Sequence, residues 1–183
     1  MNYPIENFSW GNNISQLFGV NKAIYQPNFG IPGHNGLDIY VTAEKNGYGT
    51  PILASHDGVI QTIQRDVPHR TCGNGITILN ESGGFSTSYW HLADFNCNVG
   101  DKIFTGQVIG YMGNSGWVRP LPTQNNPHLG VHLHFGIELY GQNSEYGTYV
   151  DPTPLLFKDG DKLPIYWPRD LFIGRGGDDV SFL

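Results

Sequence analysis

Residues 131–140 (VHLHFGIELY) alternate apolar and other side chains without a break, a pattern that a β-strand sorts onto two faces. Val131, Leu133, Phe135, Ile137 and Leu139 take one face, and His132, His134, Gly136 and Glu138 take the other. The apolar set anchors the strand in a core. The two imidazoles project together, about 7 Å apart by strand rise. Histidines on an inner sheet face are hard to explain by packing, because a buried imidazole needs polar partners. A solvent-facing histidine pair is the plainer alternative.

The same period of two dominates the chain, and no repeat or long amphipathic helix stands out. Residues 75–80 (GITILN) and 85–91 (FSTSYWH) read as strands joined by a hairpin turn at Glu81, Ser82, Gly83 and Gly84. Residues 51–63 read as two short strands around a turn at His56, Asp57 and Gly58, and residues 108–112 as another. Residues 113–130 and 25–36 are long, turn-rich connections of the kind that carry function. The pattern fades after Asp151-Pro152, which divides the chain into a domain over 1–158 and a tail over 159–183 with no readable motif.

Composition suits a β-rich fold with many turns: 25 glycines, 12 prolines and 13% aromatic residues in 183 disfavour a helix bundle. A net charge of −6, with scattered lysines and arginines, argues against a nucleic-acid partner. No apolar run approaches the ~20 residues of a membrane span. The first residues, MNYPIENFSWGNN, have neither the basic nor the apolar region of a secretory signal. The two cysteines, Cys72 and Cys97, flank the hairpin; a disulfide or two separate thiols are both compatible with that placement.

Two further segments carry metal-competent groups. His34 and Asp38 lie four residues apart, and Pro32, Gly33 and Gly36 oppose a helix between them. In an extended segment both side chains point the same way, and imidazole with carboxylate suits zinc. A surface loop pair is the bland alternative. His91 closes residues 85–91, on one face with Phe85, Thr87 and Tyr89; alone it could be an edge residue. Three separate segments thus deliver such groups.

These motifs resemble those of the M23 peptidases, the LytM and lysostaphin type. The HxGxD motif appears as His34-Asn35-Gly36-Leu37-Asp38, the Tyr-x-His-Leu motif as Tyr89-Trp90-His91-Leu92, and the HLHF strand as His132-Leu133-His134-Phe135. Gly49-Thr50-Pro51-Ile52, Asp57-Gly58-Val59, Gly100-Asp101-Lys102, Gly106-Gln107-Val108-Ile109-Gly110 and Gly113-Asn114-Ser115-Gly116 also match, in order, from about Ser15 to Leu156. The resemblance implies a barrel-like antiparallel sheet with loops forming a groove. It implies one zinc ion on His34, Asp38 and His134, with His91 and His132 as catalytic, non-ligand histidines. It implies a monomeric metalloendopeptidase cutting peptide bonds in peptidoglycan stems or cross-bridges, at the cell wall or outside the cell. Export by another route, a leader absent from this sequence, or lysis from within as in phage would each reach that substrate. The alternatives are a LytM-like regulatory or wall-binding module without hydrolysis, and a zinc peptidase acting on a non-wall peptide.

Other residues are secondary. His128 lies in the Pro-rich connection, and His56 and His69 in turns, all read as solvated surface. Glu138 sits about 13 Å along the strand from His134, too far for a general base. Tyr25, Phe29 and Trp117 could wall a groove or fill the core. An unperturbed imidazole titrates near ~6.5, so activity is expected to fall in acid before the metal leaves.

Overall fold

The computed structural model describes residues 1–65 and 72–161. The strands are β1 (Ile14–Gln16), β2 (Leu37–Ile39), β3 (Pro51–Leu53), β4 (Gly58–Gln64), β5 (Gly75–Asn80), β6 (Phe85–Trp90), β7 (Leu92–Phe95), β8 (Lys102–Ile103), β9 (Val108–Met112), β10 (Leu133–Leu139) and β11 (Tyr149–Val150). Helical turns are α1 (Trp10–Asn13), α2 (Lys22–Phe29) and α3 (Thr153–Leu156). Residues 162–183 of the expected tail over 159–183, and the expected turn at His69, lie outside the described residues.

Every strand pairing among the described residues is antiparallel, as expected. The main sheet runs β1-β2-β10-β6-β5-β4-β8, and β11 pairs with β10 where β2 has ended; β3-β9-β7 form a second, smaller sheet. The main sheet does not close into a barrel, because β1 and β8 stand at opposite ends of its order. One apolar cluster spans both sheets, with Leu37, Ile76, Ile78, Tyr89, Leu133, Phe135 and Ile137 from the large sheet and Ile52, Leu92, Ile109 and Met112 from the small one. β10 lies between β2 and β6, and its register sets His134 opposite Asp38 on one side and Trp90 on the other. Its apolar residues Leu133, Phe135 and Ile137 are fully buried, as the alternation requires.

Three local expectations change. The connection read over 25–36 begins in a helix: α2 forms despite Pro27 within it and closes on Gly30, whose left-handed backbone donates to Gln26 O. Proline removes one helix hydrogen bond; ring contacts of Tyr25 with His34 and of Phe29 with Trp117 tie the element to the fold. β6 ends at Trp90, so His91 is not a face residue of that strand; its φ of 64° turns the chain sharply toward β7 and the second sheet. His56, expected to be solvated, is buried. Its Nδ1 donates to Asp57 O and its Nε2 accepts from Thr87 Oγ1, which satisfies both ring nitrogens inside the fold.

Candidate metal centre and groove

His34 lies just before β2, Asp38 in its middle, and His134 in β10, so the ligand candidates converge across one strand pair. His34 Nε2 is 2.9 Å from His134 Nδ1 and 3.0 Å from Asp38 Oδ1. His134 Nδ1 is 3.1 Å from the same oxygen. Gly36 is required here by space: a Cβ would come within 2.5 Å of Phe135 O and 2.8 Å of His134 Nε2.

The hydrogen bonds around this triangle select tautomers. His34 Nδ1 sits 3.0 Å from Leu17 O, and a carbonyl only accepts, so the proton is on Nδ1 and the lone pair on Nε2. A lone pair of His34, a carboxylate oxygen and His134 Nδ1 therefore face one another at about 3 Å. Acceptors held this close repel unless a cation or a proton lies among them. The set of two imidazole nitrogens and one carboxylate oxygen fits zinc chemistry.

The remaining two histidines stand beside the triangle. His132 bridges to Gly113 through its backbone N–H, and its Nε2 lies 3.8 Å from Asp38 Oδ1. Its Nδ1 donates to Gly130 O at 2.8 Å. His91 Nδ1 donates to Ser115 O at 2.8 Å, and the His91 and His132 rings are 4.6 Å apart. In both, Nε2 keeps the lone pair. All five residues expected from the sequence are thus in one place, whereas Glu138 is occupied elsewhere, accepting from Thr148 Oγ1.

Burial disfavours the charged form of two of these rings, His91 and His134. Burial, with the neighbouring His132 and His134, lowers His91 to about 3, which corrects the expectation of an unperturbed imidazole there. Burial also lowers His134 against the opposing pull of Asp38. For Asp38, burial would raise the carboxyl, but the imidazoles packed around it, those of His34, His134 and His132, hold it well below the usual carboxylate range.

A groove passes over the centre. One half is lined by Tyr25, Phe29, Cys72, Trp90, Trp117 and Tyr149 around His91 and His134. The other half runs past Asp38 and His132 between Gln16, Tyr40, Arg119 and Leu129. Tyr25, Phe29 and Trp117 are therefore walls. Sequence reasoning missed the orienting carbonyls of Leu17, Ser115 and Gly130, which have no residue-type signal. It also missed Gln16, whose Nε2 donates to Tyr25 Oη at 2.8 Å and leaves the phenol proton available. No disulfide joins Cys72 and Cys97; Cys72 is exposed in the groove, while Cys97 donates to Ile109 O.

Fold and site together define an antiparallel β protein with a His–Asp–His candidate metal centre in an open groove. The chain belongs to Peptidase family M23, whose model matches residues 32–152. It is 31% identical over 155 residues to the glycyl-glycine endopeptidase ALE-1 of Staphylococcus capitis, covering 83% of this chain and 36% of that protein. It is 31% identical over 140 residues to the peptidoglycan DD-endopeptidase ShyA of Vibrio cholerae, covering 76% of this chain and 27% of that protein. The catalytic domain of lysostaphin from Staphylococcus simulans matches in structure with a TM-score of 0.52 at 28% identity, over 68% of this chain and 79% of that domain. The chain spans about a third or less of the length of these two curated relatives. Among the described residues no helix is long and apolar enough to cross a membrane.

Proposed function

We propose that the chain is a zinc-dependent endopeptidase that hydrolyses peptide bonds in peptidoglycan stems or cross-bridges, acting at the cell wall. The observation that carries this reading is the convergence of His34 Nε2, Asp38 Oδ1 and His134 Nδ1 within 3.1 Å of one another. These three residues would hold the ion. Zinc bound there supplies Lewis acidity, polarising a carbonyl and acidifying water. The names of ALE-1 and ShyA, both endopeptidases, support the reaction class.

The chain's own residues do the rest. The groove seats an extended peptide across the centre. His91 and His132, each with its proton fixed on Nδ1, present Nε2 to accept a proton from the attacking water. Both are acceptors in this state, so the oxyanion needs another donor. Tyr25 supplies it: it lines the groove, and Gln16 occupies its oxygen from the other side. Burial, with the charge of Asp38 nearby, raises the phenol to about 12, so it keeps its proton at neutral pH.

A zymogram on purified cell wall, with zinc content measured on the same preparation, tests the reading. Clearing that stops on chelation and returns with zinc supports it, and mass spectrometry of the released fragments identifies the bond. A zinc-loaded chain that clears no wall rejects it in favour of a binding or regulatory module.

A further inference from the structure

The long connection between β9 and β10 puts a cation at the groove. Val118 is buried to 1% exposure and pins the loop, leaving its neighbours Trp117 and Arg119 on the groove surface. Gly130 tightens the same loop: its φ is +67°, and a Cβ there would lie 2.4 Å from Pro120 O. The ring of Trp117 meets Phe29 edge-on at 5.3 Å, and the Arg119 guanidinium lies 5.0 Å from the Trp117 centroid. An arginine placed on an aromatic face is positioned with less freedom than one in solvent.

Arg119 is the only lysine or arginine among the described residues lining either half of the groove. It shares its half with Asp38 and His132, beside the candidate metal centre. Its side chain is exposed, and among the described residues it forms no ion pair. The protein as a whole carries a net charge of −6, so an acidic substrate gains nothing from the general field. A single supported guanidinium next to the reacting centre, its fork of donors in no ion pair among the described residues, matches a carboxylate.

We infer that Arg119 binds a carboxylate of the substrate peptide near the scissile bond, and so favours acidic stem peptides over uncharged glycine bridges. This rests on the peptidase reading above and deepens it by naming the substrate class. Polyglycine offers only backbone amides, which the guanidinium cannot distinguish from water. Stem peptides carry free carboxylates, and a charge-assisted pair with the guanidinium can be worth roughly tenfold to a hundredfold in selectivity.

The test compares zinc-loaded full-length wild type, Arg119→Gln and Arg119→Lys on a cross-linked muropeptide with free stem carboxylates and on the same muropeptide amidated at those carboxylates. For the wild type, kcat/KM is expected to be about tenfold or more higher on the acid than on the amide. In Arg119→Gln the acid-to-amide ratio should fall to about one, chiefly through KM, with zinc content unchanged. Arg119→Lys, which keeps the charge but loses the fork, should retain part of the ratio. Equal wild-type rates on acid and amide, or an Arg119→Gln variant that keeps the wild-type ratio, overturn the inference while leaving the peptidase reading intact. A zinc-loaded wild type that cuts neither muropeptide nor pentaglycine overturns the peptidase reading and this inference with it.

Discussion

His91 Nδ1 lies 2.8 Å from the carbonyl oxygen of Ser115, which fixes the proton on that nitrogen and keeps Nε2 as an acceptor. The loop holding that carbonyl is locked by a close backbone contact between two glycines. A Cβ on Gly116 would lie 2.4 Å from Gly73 N, and one on Gly73 would lie 2.4 Å from Ser115 O, both at positive φ. Gly116→Ala should therefore displace Ser115 and misorient His91 without touching the metal triangle. The expected result is a fall in kcat of roughly 10- to 100-fold, the usual scale for losing an orienting partner, at full zinc content. Steady-state hydrolysis and elemental analysis on one sample check this, and a variant with wild-type kcat contradicts it.

The two histidines bracketing Leu133 should separate by readout. His134→Ala, like His34→Ala and Asp38→Ala, removes one of three converging atoms and is expected to lose both zinc and activity. His132→Ala and His91→Ala should keep zinc while turnover drops at least ~100-fold, as for loss of an acid–base group. Zinc retained in His134→Ala and lost in His132→Ala would reverse the two roles.

Stability of the metal-free protein should decline in acid, and the sign follows from the direction of the shifts. His91 is lowered by burial to about 3, and burial also lowers His134 and His56. Between that value and the unfolded imidazole near ~6.5, the unfolded chain binds protons that the folded chain refuses. Their stabilising contribution is therefore complete above ~6.5 and is lost as pH falls toward 3, at about 1.4 kcal/mol per unit of depression in each group. Asp38, also lowered, acts in the same direction below the usual carboxylate range. Urea midpoints measured from pH 7.5 to 4 should fall across this window, while added zinc, which binds only the folded site, should raise them. A flat profile would contradict the burial of these rings.

Asp161 ties the two ends of the described fold together. Its Oδ2 accepts from Tyr3 Oη, from Trp10 Nε1 at 3.1 Å and from Lys158 N. Asp161→Ala should cost about 1.5–3 kcal/mol, the range for hydrogen bonds to a charged group, and leave zinc binding intact. Chemical denaturation checks the size, and an unchanged midpoint would show that the clamp contributes nothing.

Sequence by itself determined what repeats locally. The alternation over 131–140 fixed which side of β10 enters the core and put His132 and His134 together, because side-chain direction in a strand depends only on residue parity. Residues 75–80 and 85–90 were legible as a hairpin for the same reason, and the extended spacing of His34 and Asp38 anticipated their meeting at 3.0 Å. Residues whose conformation is imposed from afar were not legible. α2 carries Pro27 and has no clear apolar face of its own; its aromatic contacts come from His34 and Trp117. His91 takes φ 64° and its tautomer from a carbonyl 24 residues away, and His34 meets His134 across 100 residues. Burial of His56, the open edges of the sheet and the placing of Arg119 on Trp117 likewise depend on contacts between distant segments. Residue type and parity are written into the chain one position at a time. Desolvation, tautomer and groove shape exist only once distant segments pack, so only the tertiary structure decided them.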